Sequence, residues 1–175
     1  MAFELKADRG AAYRSGGIAL FIAAASILTA LGFQYIGGYV PCQLCLEQRY
    51  AYYVSIPLLF VALALSSGRT YGPAAILFFV ISLLFLANAA LGVYHAGVEW
   101  QFWPGPEGCS GTPSVATNAG DLLKALPNTK VVSCADAALR FFGLSFAGWN
   151  AVSSLLLMLL AARAAFAASE ARSSN

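Results

Sequence analysis

The sequence predicts an all-α membrane protein: a four-transmembrane-helix bundle with one long loop between helices 3 and 4. Three observations carry this. Of the 175 residues, 59% are hydrophobic and only 10% are charged, against about 25% charged in a soluble domain. Four apolar stretches are each long enough to cross a bilayer, which takes about 20 residues of helix. Between them, a single segment has the length and polarity of a substantial loop. Length and composition suit one integral-membrane domain over residues 1–175, with no separate soluble unit. The net charge of +2 and the lack of a Lys/Arg-rich tract argue against a nucleic-acid partner.

Met1 to Ser15 carries Lys6, Arg9 and Arg14 against Glu4 and Asp8. The first span is expected over residues 16–36, which are free of charge. Its apolar part exceeds the roughly 7–15 residues of a signal-peptide core, so a retained helix is expected. The second span is expected over 46–65 and contains Pro57, which membrane helices tolerate when neighbours satisfy the freed carbonyl. A short polar turn, Ser66 to Thr70, contains Arg69 and leads into a third span over 73–94. The loop is expected over 95–143. Trp100, Phe102 and Trp103 open it and Trp149 lies near the start of the fourth span, as aromatics do at headgroup level. Within it, Leu122, Leu123, Ala125 and Leu126 fit either a small packed turn or a short helix lying on the membrane. The fourth span is expected over 144–162, followed by a tail with Arg163, Glu170 and Arg172.

Basic residues accumulate on the cytoplasmic side of a membrane protein. Four spans place the N-terminal tail, the Arg69 turn and the C-terminal tail on one side, which is then cytoplasmic. The turn before span two and the long loop face outward together.

All four cysteines fall on that outer side. Cys42 and Cys45 form a C-x-x-C in Pro41-Cys42-Gln43-Leu44-Cys45, and Cys109 and Cys134 lie far apart in the loop. Disulfides persist in such an oxidising compartment. The C-x-x-C spacing lowers the pKa of one thiol and makes a thiolate available for attack. Cys45 is expected in the first helical turn, where the helix dipole favours a thiolate, and Arg49, four residues on, shares its face. An arginine at a membrane entrance either anchors to headgroups or has a task. His95, the sole histidine, either is an interfacial residue with a satisfied ring or serves the redox site. A zinc site would need a second C-x-x-C or more histidines, so no metal is expected. A purely structural role is the rival for both pairs, although a C-x-x-C bridge closes too small a loop to stabilise much. Two unlike pairs on one face point to a relay, the flexible pair meeting a soluble partner and the fixed pair the membrane.

With these residues in place, the sequence resembles the disulfide bond formation protein B (DsbB) family. The resemblance rests on Pro-Cys-x-Leu-Cys followed by Arg49, on Tyr94-His95 at the end of span three, and on the loop cysteines Cys109 and Cys134. It extends to Phe142-Gly143-Leu144-Ser145 with Trp149-Asn150 at span four. It covers nearly the whole chain, in order. One departure is that Glu47 does not adjoin the arginine. The related vitamin K epoxide reductase-like proteins carry their pairs in the reverse order. A four-span scaffold with a static, disulfide-stapled loop, like a tetraspanin, would show a Cys-Cys-Gly motif, whereas Ser110 follows Cys109.

The resemblance implies a protein dithiol:quinone oxidoreductase of the bacterial inner membrane, with both termini cytoplasmic and the cysteines periplasmic. It implies Cys42–Cys45 and Cys109–Cys134 as resting bridges and a DsbA-like thioredoxin-fold protein attacking Cys109. Cys134 then attacks Cys42, and Cys45 is released beside a quinone, ubiquinone or menaquinone, held by Arg49 and His95.

Overall fold

The computed structural model of the chain describes residues 9–106, 133–135 and 139–173. Cys109 and the Leu122–Leu126 cluster lie outside these residues. Four long helices appear where the apolar stretches predict them: α1 Arg9–Tyr35, α2 Gln43–Ser67, α3 Tyr71–Glu99 and α4 Phe146–Ser173. Each is long and apolar enough to cross a membrane.

The helices are longer than the charge-free runs because a span continues helically beyond the hydrocarbon wherever nothing stops it. α3 is the consequential case. The sequence reading begins the loop at His95, yet Ala96-Gly97-Val98-Glu99 brings no proline and the helix continues to Glu99 before capping on Trp100. His95 and Glu99 are therefore helical residues one turn apart, on one face.

The packing is cyclic. α1 packs on α2, α2 on α3, α3 on α4, and α4 closes back on α1, whereas α2 and α4 scarcely meet across the diagonal. Short connections make α1 and α2, and α2 and α3, antiparallel neighbours, and α4 packs between α3 and α1. Phe78, Phe85, Leu59, Ile81 and Leu157 fill the centre, and Ala19, Ala23, Ala62, Ala74, Ala161, Ala164 and Ala168 line the seams. Lipid is as apolar as these side chains, so small residues that let helices approach closely drive association. Gly92 marks one such approach: a Cβ there would sit 3.0 Å from the backbone of Ala151. Large apolar side chains such as Phe21, Leu28, Phe60, Ile76, Leu159 and Phe166 point outward, as a lipid-facing surface requires.

Polar side chains join three helices. Tyr52 of α2 donates its hydroxyl to Asn150 Oδ1 of α4 at 2.8 Å, and Asn88 of α3 donates to Ser154 Oγ at 2.9 Å. Such bonds fix register where apolar packing alone would permit sliding.

A two-residue hairpin leads into α4. Strand β1 Arg140–Phe141 pairs antiparallel with β2 Leu144–Ser145. The turn residues Phe142 and Gly143 both have positive φ, 51° and 79°, the backbone that matches the twist of a tight hairpin. Ser145 Oγ then accepts from the Gly148 amide at 3.2 Å and caps α4.

Candidate active site

At the end of the bundle where α2 starts and α3 finishes, polar and sulfur groups converge. Cys42 is the N-cap of α2, and its sulfur accepts from the Cys45 amide at 3.3 Å. A helix start leaves its first amides without intrahelical partners, and the local sequence supplies a sulfur instead of the usual oxygen. The sequence reading gives the helix-start effect to Cys45; the sulfur that receives the amide belongs to Cys42. Cys42 and Cys45 are both free thiols, with their sulfurs 2.7 Å apart. A short movement separates this pair from a disulfide.

Cys42 is buried, 6% exposed. Its thiol is held well below the ordinary thiol range, first by the hydrogen bond with the Cys45 sulfur. Desolvation opposes this, and His95 and the Cys45 amide reinforce it. The His95 Nε2 atom lies 3.6 Å from the Cys42 sulfur.

His95 is 1% exposed, and the rest of its surroundings were not legible in the sequence. Gln48, itself buried, places its amide 2.9 Å from His95 Nδ1. Glu99 places Oε1 3.9 Å from His95 Nε2, with its own side chain only 6% exposed. The Ser145 hydroxyl faces the Glu99 carboxylate, which brings the hairpin before α4 to the site. Gln48 and Glu99 left one faint signal each: Gln48 stands between two charged residues yet is uncharged, and Glu99 follows His95 at helical spacing.

Cys134 joins this site. It is 1% exposed and packs in the same buried cluster as Cys42, Leu44 and Val98, with Cys45, Leu91 and Ala135 against it. It is disulfide-bonded. The fixed pair on α2 and a cysteine from the far end of the long loop thus meet in one apolar pocket. Cys109 lies outside the described residues.

Arg49 is half-buried one turn along α2 from Cys45. Its Nη1 donates to Gln34 Oε1 near the end of α1. The sequence reading leaves Gln34 without a role; here it holds the guanidinium in place.

The donor atoms of Cys42, Cys45 and His95 lie within 4.8 Å of one another. Two thiolates on a tetrahedral zinc ion at about 2.3 Å stand roughly 3.8 Å apart. The sulfurs of Cys42 and Cys45 stand closer than that, 2.7 Å apart.

A four-span membrane protein with a buried, thiolate-forming C-x-x-C and a third cysteine in the same buried cluster belongs to the class of membrane thiol oxidoreductases. Comparison with known proteins names the family. The family model for disulfide bond formation protein DsbB matches residues 14–164, and the chain belongs to that family, whose chemistry is disulfide formation. It is 28% identical to Disulfide bond formation protein B of Marinobacter nauticus over 152 residues, covering 82% of this chain and 86% of that one. It is 29% identical to the protein of the same name from Hahella chejuensis over 142 residues, covering 76% and 81%. A Rickettsia prowazekii protein named Uncharacterized protein RP370 is 23% identical over 144 residues, covering 81% of each chain. No solved structure matches the chain.

Proposed function

We propose that the protein is a dithiol:quinone oxidoreductase of the bacterial inner membrane that reoxidises a periplasmic DsbA-like dithiol protein. The observation that carries this reading is the burial of Cys134 in one cluster with Cys42. A static loop staple has no need to share a cluster with a second redox pair, whereas a relay requires it.

Each step is a thiolate attack on a disulfide sulfur. Cys109 is assigned as the partner of Cys134. A partner thiolate attacks Cys109, the Cys109–Cys134 bond breaks, and Cys134 leaves with the electron pair. Cys134 attacks Cys42 in the Cys42–Cys45 bridge, and Cys45 leaves as the thiolate. The partner's second thiol resolves its mixed disulfide, and the freed Cys109 attacks Cys134. This restores the loop bridge and releases Cys42. The partner has lost two electrons and the α2 pair has gained them.

A quinone, when bound, supplies an acceptor for two electrons and two protons. The residues present fit one: Arg49 offers a fixed cation at the membrane end of α2, steadied by Gln34, one helical turn from Cys45. Its task is to favour developing negative charge on an oxygen. His95 Nε2, when it carries the ring proton, donates to the Cys42 sulfur and holds that sulfur as a nucleophile for re-forming the bridge. In the proposed orientation both termini are cytoplasmic and the cysteine pairs periplasmic, in keeping with Arg14, Arg69, Arg163 and Arg172 at the other end. Ubiquinone is the proposed acceptor, with menaquinone as the other choice.

The test is quinone reduction by the purified full chain, with a reduced periplasmic thioredoxin-like protein as donor. Turnover that consumes both supports the reading. Bridges that stay static while the quinone is untouched would support a structural scaffold.

A further inference from the structure

Glu99 takes no part in the relay above, yet among the described residues it is the buried carboxylate nearest to the reacting sulfurs. Its side chain is 6% exposed. Its Oε2 atom has no hydrogen-bond partner among the described residues, and its Oε1 atom lies 3.9 Å from His95 Nε2. That same nitrogen lies 3.6 Å from the Cys42 sulfur. One ring atom thus stands between a thiol and a carboxylate. Gln48 on Nδ1 keeps the ring turned so that Nε2 serves both.

Breaking the Cys42–Cys45 bond takes up two electrons and two protons. We propose that one proton rests on Cys45 and the other on Glu99, beside His95, so that Cys42 remains a thiolate facing His95 Nε2. With a dithiol as reductant, the reductant becomes its disulfide and the bridge becomes a Cys42 thiolate and a Cys45 thiol. The Glu99 carboxylate becomes a carboxylic acid. Two electrons and two protons are accounted for.

Donor placement decides where the charge sits. The Cys42 sulfur faces the Cys45 amide and His95 Nε2. Glu99 has the Ser145 hydroxyl, and nothing at Oε2. A buried charge is tolerable only where hydrogen bonds receive it, so the negative charge belongs on Cys42 and the proton on Glu99. Net charge inside the apolar bundle is the same for either placement of the proton, so the transfer requires no counter-ion. Among the described residues, the titratable and charged groups facing Glu99 are Cys42 and Cys45 from α2, His95 from its own helix and Arg140 from β1. The lowered Cys42 pKa agrees with this placement.

Glu99 is thus a positioning residue that holds a proton next to the dithiol. Resting on the function proposed above, it would release that proton as the electron pair leaves the thiols. The test uses infrared difference spectroscopy on the full-length protein, reduced with a soluble dithiol and with no quinone added. Reduction should produce the carbonyl stretch of a single protonated carboxyl, moved by deuterium exchange. It should be lost in Glu99→Gln and restored, at a shifted position, in Glu99→Asp. A wild-type spectrum without that band would overturn the inference, as would a band that persists in Glu99→Gln. Because no quinone takes part, a failure here is separate from a failure of quinone reduction, which would overturn the acceptor and leave the proton store standing.

Discussion

The amide of Gln48 lies 2.9 Å from Nδ1 of His95, across the buried interface of α2 and α3. When the Gln48 amide nitrogen donates to Nδ1, the proton of the neutral ring is on Nε2, which faces the Cys42 sulfur. Gln48→Leu keeps the volume and removes the polar partner. The ring then loses its fixed orientation, and the Cys42 pKa should rise toward the ordinary thiol value of about 8.5. The sign follows directly: a lowered pKa means that thiolate persists as pH falls through the neutral range, and a raised one means that it protonates there. The check is alkylation of Cys42 in the reduced protein as a function of pH, with the site read by mass spectrometry. The variant profile should lie at higher pH; a profile that coincides with wild type would leave Gln48 a packing residue.

Cys134→Ser removes the thiol that resolves the first mixed disulfide. A covalent adduct between Cys109 and the soluble partner should accumulate, visible on a non-reducing gel and mapped by peptide analysis. An adduct mapped to Cys42 would mean that the partner reaches the α2 pair directly and that the burial of Cys134 in one cluster with Cys42 has another purpose.

Arg49→Lys keeps the charge and loses the planar fork of donors, including the geometry that lets one nitrogen engage Gln34. The apparent KM for quinone should rise while partner oxidation in a single turnover stays largely intact. Arg49→Ala should be worse, by roughly 1.5–3 kcal/mol for a lost charge-assisted hydrogen bond. Steady-state quinone reduction over a concentration series measures both. An unchanged KM in both variants would make Arg49 a headgroup anchor.

Tyr52→Phe removes the donor to Asn150 Oδ1 and leaves that buried amide poorly partnered, its Nδ2 already lacking an acceptor among the described residues. Hydrogen bonds between membrane helices average about 0.6 kcal/mol, less than the 1–3 kcal/mol for orphaning a buried group in water-soluble proteins. A loss of about 1 kcal/mol is expected in detergent unfolding, with the thiol chemistry at Cys42 unchanged. A loss of thiol reactivity would tie this network to the site.

Reporter fusions after Gly38 and after Thr112 should both read outside, as the basic residues at the opposite ends require. An inside reading at either point would separate the two cysteine pairs and end the relay.

The sequence by itself determined the class of fold, because bilayer crossing is a property of composition over some 20 residues and needs no knowledge of neighbours. It also singled out Cys42, Cys45, Arg49 and the loop cysteines, whose chemistry shows in their spacing and charge. The limits of the helices were less legible: α3 runs to Glu99 because nothing in Ala96–Glu99 stops it, and hydrophobicity does not report that. What only the tertiary structure decided is the company each residue keeps. Gln48 and His95 are 47 positions apart and meet because α2 and α3 pack antiparallel. Gln34 reaches Arg49 because α1 and α2 are neighbours, and Ser145 reaches Glu99 because a hairpin with two positive-φ residues turns it inward. Cys134 joins the buried cluster of Cys42 from the far side of the long loop. Each of these pairings is set by which helix faces which, and that follows from packing small residues along the seams, a property of the whole bundle and of no single stretch.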